Sequence, residues 1–129
     1  MGKKLLLRVG DVLDQTHKPM VESGSSVKDA IVEISEKRLG VTAVLNQNKL
    51  VGIVTDGDIR RMLNKTENIS GLTVEEIMTK NPKTISSETL VSEALNILED
   101  FSITQLIVLD NHEYKGVLHL HDILKEGIL

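Results

Sequence analysis

One signal, a glycine followed by two apolar residues and closing on Asp-Ile, occurs twice in this chain at a fixed offset. It reads Gly52-Ile53-Val54-Thr55-Asp56-Gly57-Asp58-Ile59 and then Gly116-Val117-Leu118-His119-Leu120-His121-Asp122-Ile123. Gly52 and Gly116, Asp58 and Asp122, and Ile59 and Ile123 each stand 64 residues apart. The same offset aligns Val27 with Val91, Ala30 with Ala94, and Val44-Leu45 with Val108-Leu109. Both halves must therefore build the same unit. Matched polar residues at one place in each predict two related binding clefts on a pseudo-symmetric body. Two copies are too few for a solenoid, so a closed pair is expected.

Periodicity gives each half the same elements. Val27, Ala30, Ile31 and Ile34 fall at i, i+3, i+4 and i+7, the apolar face of a helix, and Val91, Ala94, Leu95 and Leu98 repeat it. Ser25 or Ser26 is the expected cap of the first helix and Thr89 that of the second, with Asp29 and Glu93 in the first turns. Val41 to Leu45 and Leu50 to Val54 read as a hairpin across a polar turn from Asn46 to Lys49. Gln105 to Leu109 and Tyr114 to Leu118 read the same way across Asp110 to Glu113. Short helices are expected at Asp56 to Leu63 and Leu120 to Lys125, and short strands around Pro19 to Glu22 and Lys83 to Ser86. Val9-x-x-Val12-Leu13 and Val74-x-x-Ile77-Met78 also match, at an offset of 65. The polar, glycine-bearing stretch from Asn64 to Leu72 reads as the linker. The fold class is α+β, two β-α-β-β-α repeats packed as a pseudo-twofold pair, with one repeat at 1–68 and the other at 69–129.

Composition narrows the function. A half of about 60 residues buries too little surface to be stable alone, so mutual packing of the halves is expected. Net charge is −4, which disfavours a nucleic-acid backbone as the main partner, and aromatics are 2%, which leaves no stacking platform for bases. Without cysteine there is no disulfide, thiolate nucleophile or zinc–thiolate site, in keeping with a cytoplasmic location. Lys3-Lys4-Leu5-Leu6-Leu7-Arg8 has too short an apolar run for a signal peptide, and the chain reads as a domain taken from a longer protein.

The ordered set of these motifs resembles the tandem CBS (cystathionine-β-synthase-type) domain pair over nearly the whole chain. It rests on the doubled pattern, the Val-x-x-Ile-Met-Thr-x-x-Pro stretch from Val74 to Pro82, and the strand-end Gly-Ile-Val-Thr-Asp-Gly-Asp-Ile. A narrower resemblance lies in Lys4-Leu5-Leu6-Leu7-Arg8-Val9, Thr55-Asp56-Gly57-Asp58-Ile59-Arg60-Arg61 and Gly116 to Leu124. These look like the C-terminal region of bacterial D-arabinose-5-phosphate isomerases, which join a sugar-isomerase domain to a CBS pair in the Kdo and lipopolysaccharide precursor pathway. This chain does not contain that catalytic domain. The resemblance implies a regulatory module of a homodimeric parent, with an adenosine nucleotide in inter-repeat clefts. The pathway adds a cytidine-linked sugar acid as a feedback ligand. No cofactor is required.

The resemblance assigns Thr55 to phosphate and Asp58 to ribose contact. A carboxylate in the first turn of a helix can accept from both ribose hydroxyls, and a hydroxyl beside helix-start amides suits a phosphate. The plainer reading is that Thr55 caps the helix and Asp58 answers its dipole. Arg60 and Arg61 are candidate phosphate partners. Adjacent helical residues diverge by about 100°, so at most one faces the cleft. Lys80 and Lys83, flanking Pro82, are alternatives. In the second copy His119 replaces Thr55 and His121 replaces Gly57, while Asp122 is retained, which permits a different anion and a response to pH. A metal on His119, His121 and Asp122 is the weaker reading, because a helix starting between the histidines separates them. His17 and His112 fall in loops with no acidic partner suggested. With no nucleophile, base and orienting group set together, this chain is not expected to be an enzyme. The alternative to ligand regulation is a dimerisation module with vestigial clefts.

Overall fold

In the computed structural model the described residues are 6–127. Lys3 to Leu5 of the opening basic-apolar stretch lie outside them, as do residues 128–129. The described residues form two compact units. A continuous unit runs from Pro19 to Pro82, and a split unit joins 6–18 to 83–127.

The continuous unit contains β1 (Met20–Glu22), α2 (Val27–Lys37), β2 (Val41–Asn46), β3 (Lys49–Thr55) and α3 (Asp56–Lys65), then a single 3₁₀ turn at Val74–Glu76. The split unit opens with α1 (Val9–Val12). It continues as β4 (Thr84–Ile85), α4 (Val91–Asp100), β5 (Gln105–Asp110), β6 (Glu113–His119) and α5 (Leu120–Lys125). Each unit thus follows the expected β-α-β-β-α order. In each, the short first strand pairs parallel with the second and the second antiparallel with the third.

The apolar face predicted for α2 is the one buried. Ala30 and Ile34 pack with Val44, Val54 and Val74, and Val21, Ile59, Ile77 and Met78 close the rim. In the split unit Val91, Ala94, Leu95 and Leu98 pack with Leu106, Val108, Leu118 and Ile123. Complete burial contributes about 1.5–3 kcal/mol for each valine, leucine or isoleucine among them, so these two clusters carry the units. Ser26 caps α2, its Oγ accepting from Asp29 N at 3.0 Å. The predicted cap at Thr89 is not formed. Leu90 occupies the N-cap of α4 and lends no side-chain bond, and Thr89 instead accepts from Val9 N through its carbonyl at 2.8 Å. Both hairpins turn through two residues of positive φ, Gln47 and Asn48 in one, Asn111 and His112 in the other, as two-residue loops require.

The units do not follow the sequence repeats from end to end. Val74 of the second repeat lies in the core of the continuous unit, and Val9 of the first repeat lies in the core of the split unit. The backbone repeats the same stitches. Val27 N donates to Leu72 O and Val74 N to Ser25 O, each at 2.9 Å, while Val91 N donates to Leu7 O at 2.9 Å and Val9 N to Thr89 O at 2.8 Å. An opening turn is held by the chain just before the long helix, and each unit takes that turn from the other repeat.

The repeated glycines sit beside matched irregularities of the hairpins, where Val44 opposes Gly52 and Val108 opposes Gly116. A Cβ on Gly52 would stand 2.7 Å from Met78 Sδ and 2.9 Å from Thr79 O. The reason is that Ile53 and Thr79 exchange backbone bonds of 2.9 and 2.7 Å across it. Gly116 is needed for a different reason, a φ of 148°. The first glycine brings the 78–79 segment against the strand end that carries Thr55.

Candidate ligand site

Thr55 ends β3 in extended conformation and α3 begins at the next residue, so its side chain lies where the free amides of the helix start. Thr55 Oγ1 accepts from Asp58 N at 3.1 Å. Asp58 Oδ2 accepts from Thr55 N at 2.9 Å and from Thr55 Oγ1 at 3.0 Å. This reciprocal cap is the plain structural role foreseen for the pair.

The carboxylate does more than close the cap. It is 6% exposed and has partners on both oxygens. Arg61 Nη2 donates to Oδ1 at 2.6 Å, and Thr79 Oγ1 stands 3.0 Å from Oδ1 and 3.1 Å from Oδ2. Four polar groups from three chain segments therefore converge on one buried carboxylate. A charge at this depth is tolerable only with such satisfaction. Beside it lies a cavity of about 230 Å³ lined by Asp58, Arg61, Met62, Lys65, Thr66, Glu76 and Ile77. Met62 and Ile77 give it apolar walls, and Arg61 and Lys65, one helical turn apart, give it positive charge.

Of the arginines, Arg61 therefore faces the carboxylate, and Arg60 is exposed on α3. Lys80 is exposed after the 3₁₀ turn of the continuous unit. Lys83 belongs to the split unit, where its Nζ lies 5.0 Å from the Phe101 ring centroid, a cation–π contact. Thr79 was missed as a site residue. It stands 21 residues from Asp58, and its only mark in the sequence was a place in the Val74 to Pro82 stretch.

The split unit places His119, His121 and Asp122 at the corresponding turn from β6 into α5. His119 N donates to Asp122 Oδ2 at 2.9 Å, and His119 Nδ1 accepts from His121 N at 3.0 Å. Nδ1 thus serves as the helix cap in this turn, in the place of the Thr55 hydroxyl. The two rings stand edge to face with centroids 6.4 Å apart. Asp122 is less enclosed than Asp58, 20% against 5% for the side chains, and Lys125 Nζ reaches only to 3.9 Å. The residue in the place of Thr79 is Asp14, which cannot donate to another carboxylate. Asp14 turns to its own loop, accepting from Thr16 N at 2.9 Å and Thr16 Oγ1 at 2.7 Å, and these bonds hold its carboxyl down to about 2. His17 Nδ1 lies 3.3 Å from Asp14 Oδ2, so this loop histidine has an acidic partner that sequence did not suggest. His112 lies in the exposed hairpin turn. Among the described residues no group of three or more histidine or acidic side chains is arranged to hold a metal ion.

Two more carboxylates tie the loop after the first strand of each unit. Glu75 accepts from Ser23 Oγ and from Gly24 N, and Asp110 accepts from Ser87 N at 2.9 Å and Ser87 Oγ at 2.5 Å. The serine hydroxyl is the main cause in each case that holds the carboxyl below its ordinary value, with a loop amide next, and Ser86 and Lys115 assist at Asp110. No described helix is long and apolar enough to cross a membrane.

A family profile for the CBS domain matches residues 9–65 and 74–128. The chain is 41% identical over 127 residues to the arabinose 5-phosphate isomerase KdsD of Francisella tularensis, covering 97% of this chain and 39% of that protein. It is 36% identical over 131 residues to KdsD of Escherichia coli K12, covering 100% of this chain and 40% of the relative. The chain thus spans about two-fifths of the length of these relatives. Among solved structures it superposes on CBSX2 of Arabidopsis thaliana in complex with AMP, with a TM-score of 0.78, 25% identity, and 95% of this chain and 96% of that one covered.

Proposed function

The chain belongs to the CBS domain family and carries the domain twice; on that footing we propose that it is the regulatory module of a D-arabinose-5-phosphate isomerase. It binds a nucleotide or sugar nucleotide at the Thr55–Asp58 site. The observation that carries this reading is the buried Asp58 carboxylate beside a cavity with two cations and apolar walls. Such a place offers acceptors for a vicinal diol, charge for a phosphate and an apolar surface for a base. The AMP held by CBSX2 supports the adenosine class. The likeness to KdsD supports an N-terminal sugar-isomerase domain in the parent, and the cytidine-linked sugar acid enters as an alternative ligand from the pathway alone.

A second reading has its own support. Every lone-pair direction used by Asp58 already has a protein donor, as expected of a vestigial cleft kept for helix capping. A dimerisation module would use the depression of about 400 Å³ lined in part by Ile31, Ile34 and Ile59.

The two readings part in a thermal-shift experiment with AMP, ATP, CMP and the cytidine-linked sugar acid, alongside Asp58→Ala and Asp122→Ala. A ligand at 100 times its dissociation constant adds about 2.7 kcal/mol of stability, an unmistakable displacement of the melting curve. A shift abolished by Asp58→Ala is the expected result. No shift with any of the four, together with a tight dimer by light scattering, would leave the dimerisation module.

A further inference from the structure

Arg61 is 67% exposed on its side chain, yet its guanidinium covers a carboxylate that is 5% exposed, at 2.6 Å. The cover reaches Asp58 by lying back over the start of α3. It passes beside Gly57, where a Cβ would stand 3.4 Å from Arg61 Nη1, in ordinary contact. The other donors on Asp58 are tied to the backbone of the fold, although Thr79 is itself exposed. Thr55 is the helix cap, and Thr79 is fixed by its backbone exchange with Ile53. Arg61 holds the carboxylate through the end of a long, exposed side chain, and can swing away with no change in the backbone.

We infer that Arg61 is a specificity-determining residue that makes the Asp58 site accept a phosphorylated nucleotide and reject the bare nucleoside. The inference rests on the nucleotide reading above. A ribose diol can reach Asp58 Oδ1 only by displacing the guanidinium. A nucleoside that does so replaces the charge-assisted bond on Asp58 with neutral hydroxyl donors and leaves the exposed guanidinium to water. A nucleotide brings the replacement with it. The diol takes the carboxylate oxygen while the phosphate takes the freed guanidinium in the adjoining cavity, with Lys65 one turn further along α3. Ion pair is exchanged for ion pair. Glu76 also lines this cavity, but its Oε2 is engaged by Thr73 N at 2.7 Å, so it opposes the phosphate from a fixed place.

The split unit does not reproduce the device. His121 fills the place of Gly57, and Lys125, in the place of Arg61, stands 3.9 Å from Asp122. Selection of this kind belongs to the continuous unit.

The test is calorimetric titration of the whole chain with AMP and with adenosine, on the wild type, Arg61→Ala and Arg61→Gln. The wild type should prefer AMP by roughly ten- to a hundredfold, the range expected for one charge-assisted exchange. Both variants should lose AMP affinity and gain adenosine affinity, bringing the two ligands within about threefold. A loss of AMP affinity with adenosine unchanged would overturn the inference, because Arg61 would then be a phosphate contact and not a cover. An equal loss of both ligands would overturn it as well, by making Arg61 structural. If neither ligand binds any of the three proteins, the nucleotide reading itself falls and this inference with it.

Discussion

Asp58 and Asp122 occupy the same step of the same repeat, and their surroundings share little. Each accepts from the backbone N–H of the residue that ends the preceding strand, at 2.9 Å in both. Beyond that bond the two diverge. Asp58 holds Arg61 and Thr79, whereas Asp122 has, among the described residues, a lysine at 3.9 Å, with an aspartate where Thr79 would be. What the two units share is backbone geometry: the glycine at the hairpin irregularity, the strand-to-helix turn and the carboxylate closing it. What they do not share is the set of side chains that make a carboxylate into a site. Duplication preserved a scaffold, and the chemistry lies in the residues that differ.

The largest effect should come from removing each carboxylate in turn. Asp58→Ala frees several donors at a buried position and is expected to cost about 2 kcal/mol of stability, while Asp122→Ala should cost about 1 kcal/mol or less. For AMP the contrast should be steeper, with about a hundredfold loss of affinity for Asp58→Ala and little change for Asp122→Ala. Urea denaturation and calorimetry read the two quantities separately. Equal losses in the two variants would erase the distinction drawn between the units.

The glycines give the next contrast. Gly52→Ala forces its new methyl into Met78 Sδ and Thr79 O, and the latter is backbone held by two hydrogen bonds. Such overpacking costs about 1–3 kcal/mol. Gly116→Ala meets Asp14 O at 3.3 Å, a lesser crowding, but must adopt a φ of 148° that an alanine resists, at about 1–2 kcal/mol. Stability alone therefore separates these variants poorly. Ligand affinity separates them well, because moving Thr79 disturbs Asp58 while Gly116 has no such neighbour. Gly52→Ala should weaken AMP binding by about tenfold and Gly116→Ala by less than about twofold. A Gly116→Ala loss as large as that of Gly52→Ala would place the ligand in the split unit.

Much of this architecture was legible because it depends on periodicity. The helix face from Val27 to Ile34, both hairpins and the two short helices follow from spacing alone, and the 64-residue offset doubled each reading. The Thr89 cap failed because the amide end of α4 is served by backbone from 6–18, a contact no local pattern encodes. The site was half legible for the same reason. Thr55, Asp58 and Arg61 lie within the first two turns of one helix and could be read together. Thr79 comes from a segment brought over Gly52, and its role follows only once Ile53 and Thr79 are seen to pair. The pairing of Asp14 with His17 was equally hidden, since it needs a loop conformation and not a repeat.

The smallest effect lies in the acid limb of stability, where each unit has its own tied loop. Glu75 and Asp110 are both held below their ordinary values of 4.5 and 3.8 by serine hydroxyls and loop amides. A carboxylate depressed in the folded state binds its proton more readily when unfolded. Its contribution is therefore present above the ordinary value and is lost as pH falls through the depressed one. Stability should thus decline below about pH 4.5, and Glu75→Gln should flatten the upper part of that decline and Asp110→Asn the part that begins near pH 3.8. Asp14, held near 2, extends the loss from about pH 4 toward pH 2, though its exposure keeps that share small. Each substitution should change the slope by a fraction of a kcal/mol per pH unit, measurable by urea denaturation between about pH 5 and pH 3. If Glu75→Gln flattens the curve and Asp110→Asn does not, the two loops are held differently in solution. The likeness between the units then ends at the backbone even here.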